Sequence, residues 1–362
     1  MEVGIINIMT RTIELTGTSS AIGRQMTENC GEQIISVMRN GEELCKTDMH
    51  EITGLLNQWC PGLNDELQGF ADASGIPVAQ VAYYAGTYLR PSCSQIAISA
   101  QKSASGHPIL ARSYEYHHDL EEFTLARTSV KGKNAHIGTC VMMFGREEGI
   151  NDKGLAVAMS MNTTREIKTR GMMFWAALRS VLENCATVEE AVNFLKGMPV
   201  AYNMNMLLMD SLGKMALYET MDGQNAYRYA APEESFLAAT NHPLLDSITA
   251  IHPYAAVHSL QRYHCIHAFL TDHTTVNITD IKGLLLTPYP MGLSCSFFED
   301  YLGTTKSVVM DIEDKTLEIC WGGREENGWE HYSAAQPLTA RRKEIWLTMN
   351  RGEPELFKQQ PL

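Results

Sequence analysis

The spacing of apolar residues divides the chain near residue 93. Before that point the pattern is helical. After a short leading strand, Leu63, Leu67, Phe70 and Ala71 recur at helical intervals, so they share one face. Gly75-Ile76-Pro77 stops that helix. Val78, Val81 and Ala82 predict another short helix, and Pro91-Ser92 breaks the pattern.

From Cys93 the texture changes to short strand-like runs. Strands are predicted over 95–100 and 108–113, joined by a Ser/Gly turn, and over 123–130, 136–144 and 155–161. A helix over 172–185 follows, and Thr187 and Glu190 have the spacing of a capping box that opens a helix ending at Gly197. Four more strands are predicted over 205–209, 214–220, 226–230 and 235–240. A helix over 255–270 is expected to bury Val257, Leu260, Tyr263, Ile266 and Leu270, and another starts near Thr279 and Asp280. The last strands are read over 306–311 and 316–321, and the polar tail is expected to fray. The hairpins and helix pairs argue for an α+β fold in which two sheets are sandwiched between helix layers. There is no internal repeat and no low-complexity tract.

Composition narrows the function classes. With 362 residues the chain can build a substantial core, as one large domain or two ordinary ones. Its net charge of -13, from 29 Lys+Arg against 42 Asp+Glu, argues against nucleic acid and anionic membranes as partners. No apolar run is long enough to span a bilayer, and the first residues lack the basic start and apolar core of a signal peptide, so a cytoplasmic location is expected. Nine cysteines, an odd number with no Cys-x-x-Cys pair, favour reduced thiols over disulfides or a zinc site.

Cys93 is the candidate nucleophile among them. It opens a strand after the Pro-Ser break, and Arg112 and Glu115 lie one hairpin away. Cleavage of the Ser92–Cys93 bond would give Cys93 an α-amine of reference pKa about 8, able to accept the thiol proton near neutral pH. A nearby guanidinium is expected to lower the thiol pKa further. Arg112 and Glu115 read equally as a structural ion pair. Asn151-Asp152-Lys153-Gly154 reads as a tight turn before a strand that ends at Asn162. Thr240-Asn241-His242-Pro243 reads as a strand end. Functionally, Asn162 and Asn241 would each donate to an oxyanion, a contribution of about 3 kcal/mol per donor. Arg262, on the 255–270 helix, is either surface charge or an anchor behind the nucleophile. His264 and His267 share a helical face, but without a His-Glu-x-x-His pattern they are read as ordinary histidines rather than metal ligands.

Together these sites resemble the penicillin acyltransferase (isopenicillin-N acyltransferase-like) family of autoproteolytic N-terminal-nucleophile hydrolases, related to bile-salt hydrolases and penicillin V acylases. Cys93 matches the nucleophile, Arg112 and Glu115 the Arg-x-x-Asp motif, residues 151–156 the Asn-Glu-Lys-Gly-Leu-Ala strand, Thr240-Asn241 the Thr-Asn motif, and Arg262 the helix arginine of the active-site network. Leu63, Glu66, Leu67, Gly69 and Ala71 resemble the family's pro-segment. Two positions depart from its pattern: Ser92 stands where Gly is usual, and Glu115 where Asp is usual. The resemblance implies a four-layer αββα sandwich, a mostly helical pro-segment or small subunit over 1–92 and a catalytic domain over 93–362. It implies cleavage of a linear amide, or acyl transfer, through a thioester on Cys93, acting on a small-molecule amide or acyl substrate without metal or other cofactor. Homo-oligomerisation is left open. The alternative is an uncleaved, non-catalytic small-molecule-binding protein of the same fold.

Overall fold

The computed structural model describes residues 4–165, 167 and 169–362. The chain opens with β1 (Gly4–Gly17) and five helices, α1 (Ser19–Asn29), α2 (Glu32–Arg39), α3 (Lys46–Trp59), α4 (Leu63–Ser74) and α5 (Val78–Ala85). Strands β2 (Ser92–Ile98), β3 (Ile109–Tyr116), β4 (Thr124–Val130), β5 (His136–Val141), β6 (Gly145–Arg146), β7 (Glu148–Asn151) and β8 (Ala156–Met161) follow. Next come α6 (Phe174–Asn184), α7 (Val188–Gly197), β9 (Met204–Met209), β10 (Met215–Met221), β11 (Gln224–Tyr229) and β12 (Phe236–Ala239). Then α8 (Asp246–Thr249), β13 (Tyr254–Ala256), α9 (Val257–Asp272) and α10 (Ile278–Leu286) lead into β14 (Ser296–Phe297), β15 (Leu302–Asp311) and β16 (Thr316–Trp321). The chain closes with β17 (Glu330–Ser333), β18 (Arg341–Met349) and β19 (Gln359–Pro361).

Two sheets carry the fold. The first has the order β11-β10-β9-β8-β7-β5-β4-β1-β18, with β6 on β5; the second runs β12-β2-β3-β15-β16-β17, with β14 on β15. Their facing sides share one core that includes Ala97, Leu110, Leu125, Ile150, Leu207 and Met310. The outer face of the first sheet packs Val157, Met206 and Leu208 against Ile22, Phe70, Leu178 and Val181 of the helices. The outer face of the second packs Ile96, Ile98 and Ile109 against Ile266, Leu270, Ile281 and Leu285. Helix, sheet, sheet and helix therefore form the four-layer αββα sandwich. The alternation along β2 sets the faces, with Ala97 inward and Ile96 and Ile98 outward.

Several local expectations need correction. The leading strand is long, and β1 lies inside the first sheet, parallel to β4 and antiparallel to β18. The C-terminal tail does not simply fray. Ile345 and Leu347 alternate with exposed residues along β18 and are buried in the inter-sheet core, while β19 pairs with β13. The capping box at Thr187 is half formed: Thr187 Oγ1 accepts from Glu190 N, but the Glu190 carboxylate reaches Ala186 N–H. A complete box stands instead at Asn277 and Asp280. On α9 the buried face is His258, Ser259, Arg262, Ile266 and Leu270, so its first turns bury polar groups rather than the expected apolar stripe.

Candidate active site

Strand parity separates the groups around Cys93. In the β2–β3 pair Cys93 lies opposite Tyr114, Gln95 opposite Arg112, and Ser92 opposite Glu115. Cys93 and Arg112 therefore share the inward face, while Ser94 and Glu115 face the α9–α10 layer. Arg112 and Glu115, three residues apart on one strand, cannot pair with each other. The structure gives each another partner: Arg112 pairs with Glu148, and Glu115 with Arg262 at 3.1 Å.

On the inward face Arg112 Nη2 donates to Cys93 Sγ at 3.0 Å, and its Nε donates to Met159 O at 2.9 Å. Glu148 accepts from Arg112 and is itself held by Thr139 through its N–H and hydroxyl. Glu147 lies 3.8 Å from Arg112 and 2.5 Å from Lys306, which also meets Glu121 at 2.5 Å. Two cations lie over the Tyr114 ring, Lys306 Nζ at 4.0 Å and the Arg112 guanidinium at 4.6 Å from its centroid.

The backbone nitrogen of Cys93 is held separately. The β12–β2 register pairs Ala239 with Gln95, so continuing it two residues brings Asn241 opposite Cys93. Cys93 N donates to Asn241 Oδ1 at 2.9 Å, and Arg262 Nη2 donates to the same oxygen at 2.7 Å. Arg262 Nη1 donates to Ser94 Oγ at 2.8 Å and to Glu115. His258 Nδ1 lies 3.0 Å from Arg262 Nη2. Burial and Arg262 push His258 well below the ordinary histidine range, so a neutral ring accepts this bond.

The thiol itself is fully buried. Burial pushes it up to about 12 against the pull of Arg112, while Glu115 and Glu147 reinforce the rise. Arg112 acts in the expected direction, but in the intact chain desolvation outweighs the guanidinium. Burial likewise raises Glu115 despite Arg262.

The two asparagines differ. Asn241 Nδ2 donates to Met161 O at 2.7 Å, which places the amide beside the end of β8. Asn162 Nδ2 donates to Thr220 O at 3.2 Å. Among the described contacts Asn162 makes none with Cys93. Ser92 is half-buried at the start of β2. The Asn151 turn is built as read: Asn151 Oδ1 accepts from Lys153 N and Leu155 N, both at 3.0 Å, and Gly154 takes φ +84°, which suits glycine. Histidines on α9 outside the site pack on aromatics, as His267 does on Tyr263 with ring centroids 4.3 Å apart.

Sequence reasoning missed Glu147, Glu148 and Lys306. Parity on β3 could have separated Arg112 from Glu115, but only the sheet pairing shows which carboxylates they meet. Two cavities flank the stretch before the thiol. One, about 480 Å³ and apolar, is walled by α3, α5 and residues 171–176; the other, about 460 Å³, reaches Glu121 and Glu147. Thr87 lines both.

The layered αββα sandwich is the fold of the N-terminal-nucleophile hydrolases, and Cys93, near the start of β2, is held at both sulfur and nitrogen. The sequence model of the acyl-coenzyme A:6-aminopenicillanic acid acyl-transferase family matches residues 101–326, more than half of the chain, so the chain belongs to that family. Its chemistry is amide hydrolysis or acyl transfer. Cys93 lies just before the matched region. Similar solved structures include a mutant conjugated bile acid hydrolase from Clostridium perfringens, at 12% identity over 72% of this chain and 99% of that one, TM-score 0.49. A penicillin V acylase from Agrobacterium tumefaciens is 17% identical over 71% and 86%, TM-score 0.43. The Caenorhabditis elegans ortholog of N-acylethanolamine-hydrolyzing acid amidase is 15% identical over 61% and 93%, TM-score 0.41. No curated protein matches the sequence. Among the described residues no helix is long and apolar enough to cross a membrane.

Proposed function

We propose that the protein is a cysteine amidase or acyltransferase that activates itself by cutting Ser92–Cys93. The observation that carries this reading is that both reactive atoms of one residue are separately held: Sγ by Arg112 and N by Asn241. In the first step Cys93 Sγ attacks the Ser92 carbonyl carbon. The C–N bond breaks, its nitrogen takes the thiol proton, and a thioester joins Ser92 to Sγ. Water hydrolyses that ester, leaving a Ser92 carboxylate and a Cys93 bearing both a free thiol and an amine. The amine then supplies the base that the intact chain lacks.

In the cut protein the thiolate attacks a substrate acyl carbonyl and the leaving amine takes the proton held by the Cys93 amine. Water, or an acceptor amine, then releases the acyl group. Asn241, Asn162 and backbone N–H groups are the proposed oxyanion donors, each through hydrogens that substrate binding would recruit. Arg112 stabilises the thiolate. Glu115 orients Arg262, which orients Asn241. Fragment 1–92 stays bound as a small subunit, because β1 is hydrogen-bonded on both sides within the first sheet. Nine unpaired cysteines support a reducing, cytoplasmic setting.

The buried, protonated thiol favours a second reading for the intact chain, a binding protein with no competent nucleophile. Denaturing electrophoresis with an amidase assay separates the two. The enzyme reading predicts fragments 1–92 and 93–362 that appear together with activity, and neither for Cys93→Ala. A chain that stays whole and inert after prolonged incubation contradicts it, as does Cys93→Ala with full activity.

A further inference from the structure

We infer that Ser259 is a positioning residue for Asn241, and so for the nitrogen of Cys93; this rests on the proposed function and deepens it. Helix α9 grips Asn241 twice. Arg262 holds the side-chain oxygen, while one turn earlier Ser259 Oγ accepts from the Asn241 backbone N–H at 2.8 Å. Ser259 is fully buried.

The hydrogen accounting around Ser259 can close. Thr240 Oγ1 can donate to Ser259 O at 3.0 Å and also lies 3.1 Å from His242 Nδ1. His242 Nδ1 lies 2.9 Å from Ser259 Oγ, and Thr240 Oγ1 lies 3.0 Å from it. Burial, then Arg262, lowers His242 to about 4, so its ring is neutral and can accept. The Ser259 hydroxyl therefore donates to His242 or Thr240 and keeps a lone pair for Asn241 N–H. From the other side Thr240 O accepts from Ser160 Oγ at 2.6 Å and from Asn205 Nδ2 at 3.1 Å. The 240–241 peptide is thus fixed at its carbonyl by the first sheet and at its N–H by Ser259. Removing Ser259 Oγ frees only the N–H end, letting the peptide and the Asn241 amide rotate away from Cys93.

The test uses the full chain with wild type alongside. Ser259→Ala should slow both chain cutting and kcat about tenfold, the worth of one net hydrogen bond, with KM unchanged. It should also move the acid limb of the pH–kcat/KM profile to lower pH, because a loosened Asn241 Oδ1 no longer favours the protonated Cys93 amine. The other charged and titratable groups around that amine stay in place: Arg112 and Glu115 of β3, Arg262 and His258 of α9, and Glu147 and Glu148 near β7. A role in stability alone would lower Tm without moving that limb. Ser259→Thr, which keeps the hydroxyl, should restore the wild-type profile. If the Ala variant does not fold, Ser259→Cys, a near-isostere with a weak acceptor, should show the same limb shift in smaller degree. An active, cut wild type whose Ser259 variants keep wild-type kcat and limb position overturns the inference. A wild type that never cuts and never acylates Cys93 overturns the proposed function instead.

Discussion

Two buried arginine networks lie on opposite faces of the first sheet: Arg179 among the helices, and Arg112, from β3 of the second sheet, between the sheets, and only the second includes Cys93. Arg179 on α6 grips Glu66 of α4 through two bonds of 2.6 Å, Glu183 at 2.9 Å and Phe144 O at 2.5 Å. Lys133 completes it, 2.5 Å from Glu183 and 2.6 Å from Pro61 O. Every partner there is a carboxylate or a backbone carbonyl, and the network joins the helical N-terminal segment to α6. Arg112 is equally buried and also carboxylate-bound, yet one of its hydrogens goes to a thiol. A buried Arg–Glu pair is therefore weak evidence of function by itself. The distinguishing mark is a thiol, the proposed nucleophile, that completes the guanidinium's partners, beside a second arginine that donates to the same amide oxygen as that cysteine's own nitrogen.

The comparison can be broken by mutation. Cys93→Ala should remove all turnover above background while leaving the Arg179 network and the fold intact, checked by an amidase assay with circular dichroism. Arg179→Met strands Glu66, while Glu183 keeps Lys133, and should cost about 3–5 kcal/mol of stability in a denaturant titration. Chain cutting should persist at temperatures where that variant stays folded; if cutting stops in folded protein, the division between the networks fails. Arg112→Gln also strands a buried carboxylate, Glu148, but in protein that stays folded it should in addition lose about a hundredfold in the single-turnover acylation rate, as expected for a charge-assisted bond to thiolate.

The smallest effect comes from Glu122, at the edge of the 460 Å³ cavity. Burial raises it to about 7, against the Met143 N–H that lowers it. Because the folded chain holds this proton more tightly than the unfolded one, the stabilisation is present below about pH 4.5 and disappears as pH rises through 7. Glu122→Gln should flatten the stability profile between pH 5 and 8, by on the order of 2 kcal/mol at the alkaline end. A profile unchanged in thermal melts across that range would contradict a protonated Glu122 carboxyl.

The layers were legible because strand-like runs after residue 93 and apolar residues at helical spacing mark most of the elements. Cys93, Arg112, Asn241 and Arg262 were legible as motif positions, and the structure brings them into contact. What stayed hidden depends on long-range pairing. The partners of Arg112 lie on β7 and β8, and Lys306, which meets Glu147, lies on β15; all are far along the chain, and nothing local marks Glu148 or Lys306. Buried Ser259 and His258 on α9 defeat an apolar-stripe reading, because their partners come from the 240–242 turn and from Arg262. The alternation of Ile345 and Leu347 was visible, but the charges around it read as a tail. The supposed Arg112–Glu115 pair ignored strand parity, which is written in the sequence.

Intact-mass analysis of the purified chain after incubation with an acyl-donor amide tests the central claim most directly. The account predicts two species, residues 1–92 ending in a Ser92 carboxylate and residues 93–362 beginning at Cys93, the second carrying one acyl group on that residue. A single uncut species of 362 residues with no adduct on Cys93 would contradict it.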